Sequence, residues 1–331
     1  MKRFSFIAAA AVLFFAACTK NNSDKISEVP EPETTAAFEG MRRCASHEVL
    51  QEQLRTNPSL QQRMDEIEAF TARYMQSTAG RLEADGVTMT IPVWVNVLYA
   101  TTAENINDLQ IQSQIDVLNE DFAGTNADHN LTSTYNTVKA SDIKIRFELA
   151  GVTRKATALT SWGTNDAMKK SSQGGIDPTS PSTTLNMWSC NLGSGLLGYA
   201  QFPGGSLATD GVVILYSAFG SRTKYPSGTY VNTYDKGRTA THEVGHYLNL
   251  RHIWGDRRCG DDFVSDTPGH DGANYGCPAA NTISKCSGRP VEMTMNYMDY
   301  TADACMYMFS TLQGNRMRAT FALGGPRATL R

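Results

Sequence analysis

The stretch HEVGHYLNLRH, residues 242–252, holds three of the chain's six histidines and places a hard demand on the fold. On an α-helix, positions i and i+4 share a face, so His242 and His246 direct two imidazoles at one point. His252 lies six positions after His246, which is the wrong angle on a continuing helix. For the three rings to meet, the chain must leave the helix sharply near residue 249. A residue in the left-handed αL region makes that break most easily. Glycine enters this region at no steric cost, and asparagine is the other residue that tolerates it, because its short amide bonds locally. Position 249 is asparagine. The spacing therefore predicts a helix over 236–249 that ends in an αL turn.

Three converging imidazoles with one open position are the donor set of a hydrolytic zinc site, in which a bound water becomes acidic enough to ionise near pH ~7. Glu243 is turned about 100° around the helix axis from His242. It is poorly placed to join the ligands and well placed to reach that water as general base and then acid. The competing reading is a set of core histidines satisfied by hydrogen bonds, and the crowding of half of all histidines into eleven residues argues against it.

The chain has 331 residues, 41% hydrophobic and 19% charged, with a formal net charge of -3. This is enough for one large domain or one with a satellite. No basic patch with interleaved aromatics exists, so no nucleic-acid partner is expected. At the N-terminus Lys2 and Arg3 precede an apolar run, Phe4 to Ala17, that is shorter than the ~20 residues of a membrane span. Residues 1–18 read as a signal peptide, and Phe15-Ala16-Ala17-Cys18 resembles the lipobox of bacterial lipoproteins. That resemblance implies a lipid on Cys18 and a place on the cell surface or outer membrane; the alternative is an ordinary signal and a secreted product. Residues 19–40 are a polar, proline-bearing tether. The remaining cysteines are Cys44, Cys190, Cys259, Cys277, Cys286 and Cys305, and export makes disulfides plausible. Four of them crowd into the last third, where three pairings are open.

The expected fold class is α+β. Residues 45–77 carry apolar positions at helical spacing, with Pro58 opening a second helix. Together 41–84 form a helical leader segment, followed by a main domain, 85–331. VTMTIPVWVNVLY, Asp142–Leu149, Thr184–Trp188, Leu196–Phe202 and Gly211–Ser217 read as strands of a mixed, twisted sheet. Ile106–Phe122 reads as an amphipathic helix with Leu109, Ile111, Ile115, Leu118 and Phe122 on or near one face. The upper part, 85–252, ends with the histidine helix. The lower part, 253–331, is irregular until a final helix at 310–321.

The long histidine motif resembles that of the metzincins, whose second hallmark is a methionine turn below the metal. MTMNYMDYTADACMYMF supplies one, with Met298 as the turn residue, although methionine-rich stretches also simply fill cores. Asn296-Tyr297-Met298-Asp299-Tyr300 is similar to the pappalysin family, and the likeness runs over roughly residues 41–323. The resemblance implies a zinc endopeptidase acting on protein or peptide substrates, with zinc on His242, His246 and His252 and with Tyr300 supporting the transition state. It implies disulfides Cys259–Cys286 and Cys277–Cys305, and calcium near Asp262, Asp266 and Thr267, where a merely solvated acidic loop is the other reading. It also implies a propeptide switch, in which the Cys44 thiolate displaces the catalytic water and keeps the precursor latent. Here Ala45-Ser46 stands where Gly-Thr is usual, and a Cys44–Cys190 disulfide competes with the switch. Asp303, after the turn, is a candidate for selecting basic residues in the primed-side pocket. Substrate backbone is expected to pair with an edge strand near 196–202. The competing functions are a silent surface lipoprotein that binds through the same fold, and a zinc hydrolase of another class such as an amidase.

The αL argument is directly testable. Asn249→Gly should keep zinc affinity near wild type, and Asn249→Val, strained by about 1–3 kcal/mol in this region, should lower it roughly tenfold or more. Normal zinc binding by the valine variant, measured by competition with a chromogenic chelator, would remove the argument.

Overall fold

Alternating apolar residues build the first strand, β1 (Met89–Tyr99), whose Ile91, Val93, Val95 and Val97 are fully buried. The structure is a computed structural model that describes residues 43–78 and 87–330. The expected signal segment, Cys18, the tether and the stretch 79–86 lie outside the described residues. All described residues belong to one unit, Phe38–Arg331. The helices α1 (Ser46–Thr56) and α2 (Ser59–Thr78) precede β1. After it come α3 (Asp108–Ala123), β2 (Ile145–Ala156), β3 (Leu185–Cys190), β4 (Gly198–Ala200), β5 (Val212–Leu215), α4 (Arg238–Tyr247) and α5 (Thr311–Ala319). The five strands form one mixed sheet in the order β2-β1-β3-β5-β4. Four run parallel, and β4, antiparallel to β5, forms one edge. This is the expected mixed sheet followed by a largely irregular lower part, in which Cys259–Cys286 and Cys277–Cys305 are both formed.

Two local readings need correction. Leu109 is exposed, whereas Ile111, Ile115, Leu118 and Phe122 are buried against the sheet. Two residues on a helix are about 200° apart, so Leu109 and Ile111 face opposite sides. The strand expected to stop at Leu149 continues to Ala156 beside β1, with a register shift at Val93/Trp94. Its second half, GVTRKA, is half exposed along the sheet edge, so it lacks the apolar run that marks a buried strand.

The polar side of α3 does as much as its apolar side. Gln110 Nε2 donates to Phe219 O at 2.8 Å, Gln114 Nε2 to Gly237 O at 2.9 Å, and Gly220 N to Gln114 Oε1 at 2.7 Å. These bonds hold the loop that feeds α4. At the other end of α4, Arg327 clamps Tyr247: its Nε donates to Tyr247 O at 2.8 Å and its guanidinium lies 3.4 Å from the centre of the Tyr247 ring. The same guanidinium pairs with the buried Asp210 carboxylate through both Nη atoms.

Removing one partner of a buried pair leaves the other charge uncompensated. Asp210→Ala should therefore cost about 3–5 kcal/mol of stability, read from urea unfolding. A change near zero would mean that Arg327 does not depend on this carboxylate.

Candidate active site

The αL turn is present: Asn249 has φ of 75°. Helix α4 ends at Tyr247, Leu250 N returns to Gly245 O at 2.9 Å, and the chain swings His252 back under the helix. The Nε2 atom of His246 lies 3.1 Å from that of His242 and 3.1 Å from that of His252. Each Nδ1 faces an acceptor: Tyr297 O at 2.7 Å for His242, Leu250 O at 2.8 Å for His246, and the Asp256 carboxylate for His252. Carbonyl and carboxylate oxygens carry no proton, so each Nδ1 must, and the three Nε2 atoms meet as bare lone pairs. Burial, with the neighbouring His252 second, holds His246 well below the usual histidine range, so protonation does not relieve the crowding. A cation does. Zinc–nitrogen bonds of 2.0–2.1 Å at tetrahedral angles put ligand nitrogens about 3.3 Å apart, close to the spacing seen.

Cys44 Sγ completes the cluster, and the four donor atoms all lie within 4.8 Å of one another. Cys44 and Cys190 are both free and buried, so no Cys44–Cys190 disulfide forms; Cys190 sits within β3. Burial, and next the Glu243 carboxylate, push the Cys44 thiol well above its usual range, so forming a thiolate here requires a neighbouring positive charge. The segment 43–45 runs parallel along the edge strand: Leu197 N donates to Arg43 O at 3.0 Å and Ala45 N to Gly198 O at 3.1 Å. Gly198 lets β4 lie close against α4, since a Cβ there would stand 2.8 Å from Val213 O and 2.9 Å from Glu243 Cγ.

Residues 44–46 hold every chemically competent group of the site. Cys44 Sγ faces the imidazoles and lies 3.2 Å from Glu243 Oε2. Ser46 Oγ donates to the same Glu243 oxygen at 2.9 Å while accepting from Ala200 N at 2.8 Å. Tyr300 OH donates to Cys44 O at 3.0 Å, with its ring edge-on to His252 at 4.9 Å. Met298 is fully buried beneath α4, where a Cβ on Gly245 would meet its sulfur at 2.5 Å. The residue before it supplies the carbonyl that fixes His242. Asp121 of α3 ties both parts together, accepting from Thr241 Oγ1 at 2.7 Å and from Tyr297 OH at 2.8 Å.

Other expected site residues fall elsewhere. Asp303 is fully buried, and its Oδ2 accepts from Lys236 N at 2.9 Å and Arg238 N at 3.2 Å. It caps the start of α4 instead of lining an open specificity pocket, because the helix N-terminus presents free N–H groups that a buried carboxylate satisfies. Asp262 and Thr267 do meet, at 2.9 and 3.0 Å, and burial pushes the Asp262 carboxyl up to about 7. Asp266 instead accepts from Ser310 Oγ at 2.6 Å and Leu312 N at 2.9 Å, at the start of α5. Of the three expected calcium ligands, Asp262 and Thr267 meet and Asp266 does not join them. Among the described residues, the cluster of His, Cys, Asp and Glu donors is the one at Cys44. Three further contributors are Asp256, Ser46 and Gly245. Asp256 had a sequence signal, an acidic residue four after the third histidine, and Ser46 had one in its place after the switch cysteine; Trp254, between His252 and Asp256, stacks on the His252 ring at 4.4 Å.

Outer partners of metal-bound histidines set ring orientation and basicity. Asp256→Asn should weaken zinc binding by about 10- to 100-fold while leaving the disulfides and fold intact. Wild-type zinc affinity in this variant would show that His252 needs no anchor.

Comparison with known proteins agrees with this geometry. Residues 192–322 match the Peptidase_M43 family model, described as pregnancy-associated plasma protein-A. The extracellular metalloprotease of Arthroderma benhamiae is 34% identical over 233 residues, covering 69% of this chain and 76% of the relative. A solved structure of a Tannerella forsythia promirolysin mutant matches with a TM-score of 0.77 at 41% identity, covering 87% of this chain and 97% of the other. Mature mirolysin from the same organism, solved with a cleaved peptide, matches at 0.70 and 44% identity, covering 74% and 96%. The chain belongs to the Peptidase_M43 family, the pappalysin group of metzincins, and is a metalloendopeptidase.

Proposed function

We propose that the chain is an exported, zinc-dependent endopeptidase made as a latent zymogen, with residues 41–84 as its propeptide. The observation that carries this is the meeting of Cys44 Sγ with three imidazole Nε2 atoms whose protons are excluded by their Nδ1 acceptors. The larger share of this chain covered by promirolysin than by mature mirolysin supports the zymogen reading. The name of the relatives, extracellular metalloprotease, supports export. A lipid on Cys18 and retention at a membrane surface belong to the same proposal and rest on the sequence alone.

His242, His246 and His252 would hold the zinc, which when bound polarises the scissile carbonyl and acidifies a water. With residues 43–46 withdrawn, the β4 edge is open to pair with substrate backbone. Glu243, no longer engaged by Ser46, takes the water's proton and returns it to the leaving amine. The Tyr300 hydroxyl, released from Cys44 O, donates to the oxygen that gains negative charge. A phenol is protonated at neutral pH even at its ordinary value, and in the closed structure burial pushes it higher still, so the hydroxyl is available as a donor. A calcium ion at Asp262 would have to replace the Thr267 and Val264 hydrogen bonds it already accepts.

Three preparations test the assignment on a mixed peptide library: wild type before and after propeptide cleavage, Cys44→Ala uncleaved, and Glu243→Ala cleaved. Cleaved wild type should cut internal bonds and lose activity to a chelator. Uncleaved Cys44→Ala should already be active. Glu243→Ala should retain zinc and lose about 100- to 10,000-fold in rate. Full activity of the Glu243 variant would remove the mechanism, and an inactive Cys44 variant would remove the switch.

A further inference from the structure

The segment preceding residue 79 touches the metal-binding turn at a second place, away from Cys44. Arg316 of α5 is 1% exposed, and its Nε donates to Asn249 O at 2.8 Å, the carbonyl of the αL residue that turns the chain towards His252. The two Nη atoms grip both carboxylate oxygens of Glu68, on α2, with Nη1 at 2.7 Å. One turn on, Thr71 is fully buried, and Asn249 Nδ2 points to its Oγ1 at 3.5 Å. Helix α2 therefore seats a carboxylate on a guanidinium already committed to the turn, and a hydroxyl on the side chain of the turn residue itself. A glycine at 249 would make the same turn but offer nothing to Thr71. Below, Leu60 and Met64 of α2 pack with Leu50 and Phe202 in a small apolar cluster.

We propose that Arg316 and the Asn249 turn form a docking site for the Glu68 carboxylate of α2, and that this site, separate from the cysteine contact, holds the latency switch closed. The inference rests on the reading of residues 41–84 as a propeptide. The pair is bidentate and its guanidinium is buried while Glu68 is half-buried, so removing the carboxylate leaves a buried charge without its partner. While α2 stays docked, Cys44 that leaves the metal is still tethered within reach, so its return is intramolecular and fast. Loss of the Glu68 pair lets α1 and α2 lift away together and raises the population of the open switch. The proposal also assigns a use to the asparagine in the histidine motif beyond its αL tolerance.

The test uses the full-length, zinc-loaded chain and the rate at which Cys44 is alkylated under native conditions, mapped by peptide mass so that Cys190 is scored separately. Glu68 lies outside the expected mature enzyme, so its substitution leaves the catalytic domain unaltered. Glu68→Ala should raise the Cys44 alkylation rate at least about tenfold, and Glu68→Gln, which keeps a neutral acceptor, should fall between. Arg73→Ala, on an exposed position of the same helix, should match wild type. A Glu68→Ala rate equal to wild type, or an equal rise in Arg73→Ala, overturns the docking claim. Peptidase activity of uncleaved Cys44→Ala, measured in parallel, isolates the latency reading. If that variant is silent and the Glu68 effect stands, the docking site survives and the latency reading falls.

Discussion

Three imidazole lone pairs facing one another in a buried site repel unless a positive charge lies between them, and the structure is arranged to force that meeting. Each ring is committed from behind. The chain downstream of the αL turn supplies Leu250 O for His246, the methionine turn supplies Tyr297 O for His242, and Asp256 holds His252. None of these acceptors belongs to α4 itself. The helix only spaces two of the rings, while segments that follow it in the chain decide which nitrogen carries the proton. Met298 then closes the underside against Gly245, where any larger residue would collide. Asp121 and Asp303 fasten the start of α4 to α3 and to the segment after the turn, and Arg327 fastens its end.

In the proposed zymogen, the same geometry would let very few residues keep the site silent. A cation centre, a base and a donor lie close enough that one three-residue stretch reaches all of them. Cys44 offers its sulfur to the three imidazoles and its carbonyl to Tyr300, while Ser46 occupies Glu243. The departure from the usual Gly-Thr after the cysteine is thereby softened: Ser46 keeps a hydroxyl where threonine would have one. Because 43–45 also pairs with β4, the edge expected to receive substrate is filled by the chain itself.

Much of this was legible in the residues. The three histidines and Glu243 declared themselves by fixed spacing, Met298 and Tyr300 by the resemblance to the metzincins and pappalysins, and strands β1, β3 and β5 by their apolar content. What misled was information that spacing does not carry. Apolar content alone groups Leu109 with Ile111 although about 200° of helix separates them, and it ends β2 early because an edge strand need not be apolar on both faces. Asp303 looked like a loop carboxylate available to substrate, but it satisfies the N-terminus of α4, some 65 residues earlier in the chain. Ser46 stands in the switch segment, but its contact with Glu243 carried no signal, since it depends on β4 and α4 arriving from residues 200 and 243.

The sequence by itself determined the donor set, the carboxylate beside it and the need for a sharp turn at residue 249. These follow from helix periodicity and from the steric tolerance of asparagine, both local properties. Only the tertiary structure decided which acceptor faces each Nδ1, and therefore where the protons are. It also decided which cysteines pair and which one reaches the imidazoles, and that a glutamate on α2 would find Arg316. Those outcomes depend on groups separated by tens to hundreds of residues being buried together, where an unpaired charge or donor is costly and the fold must supply its partner.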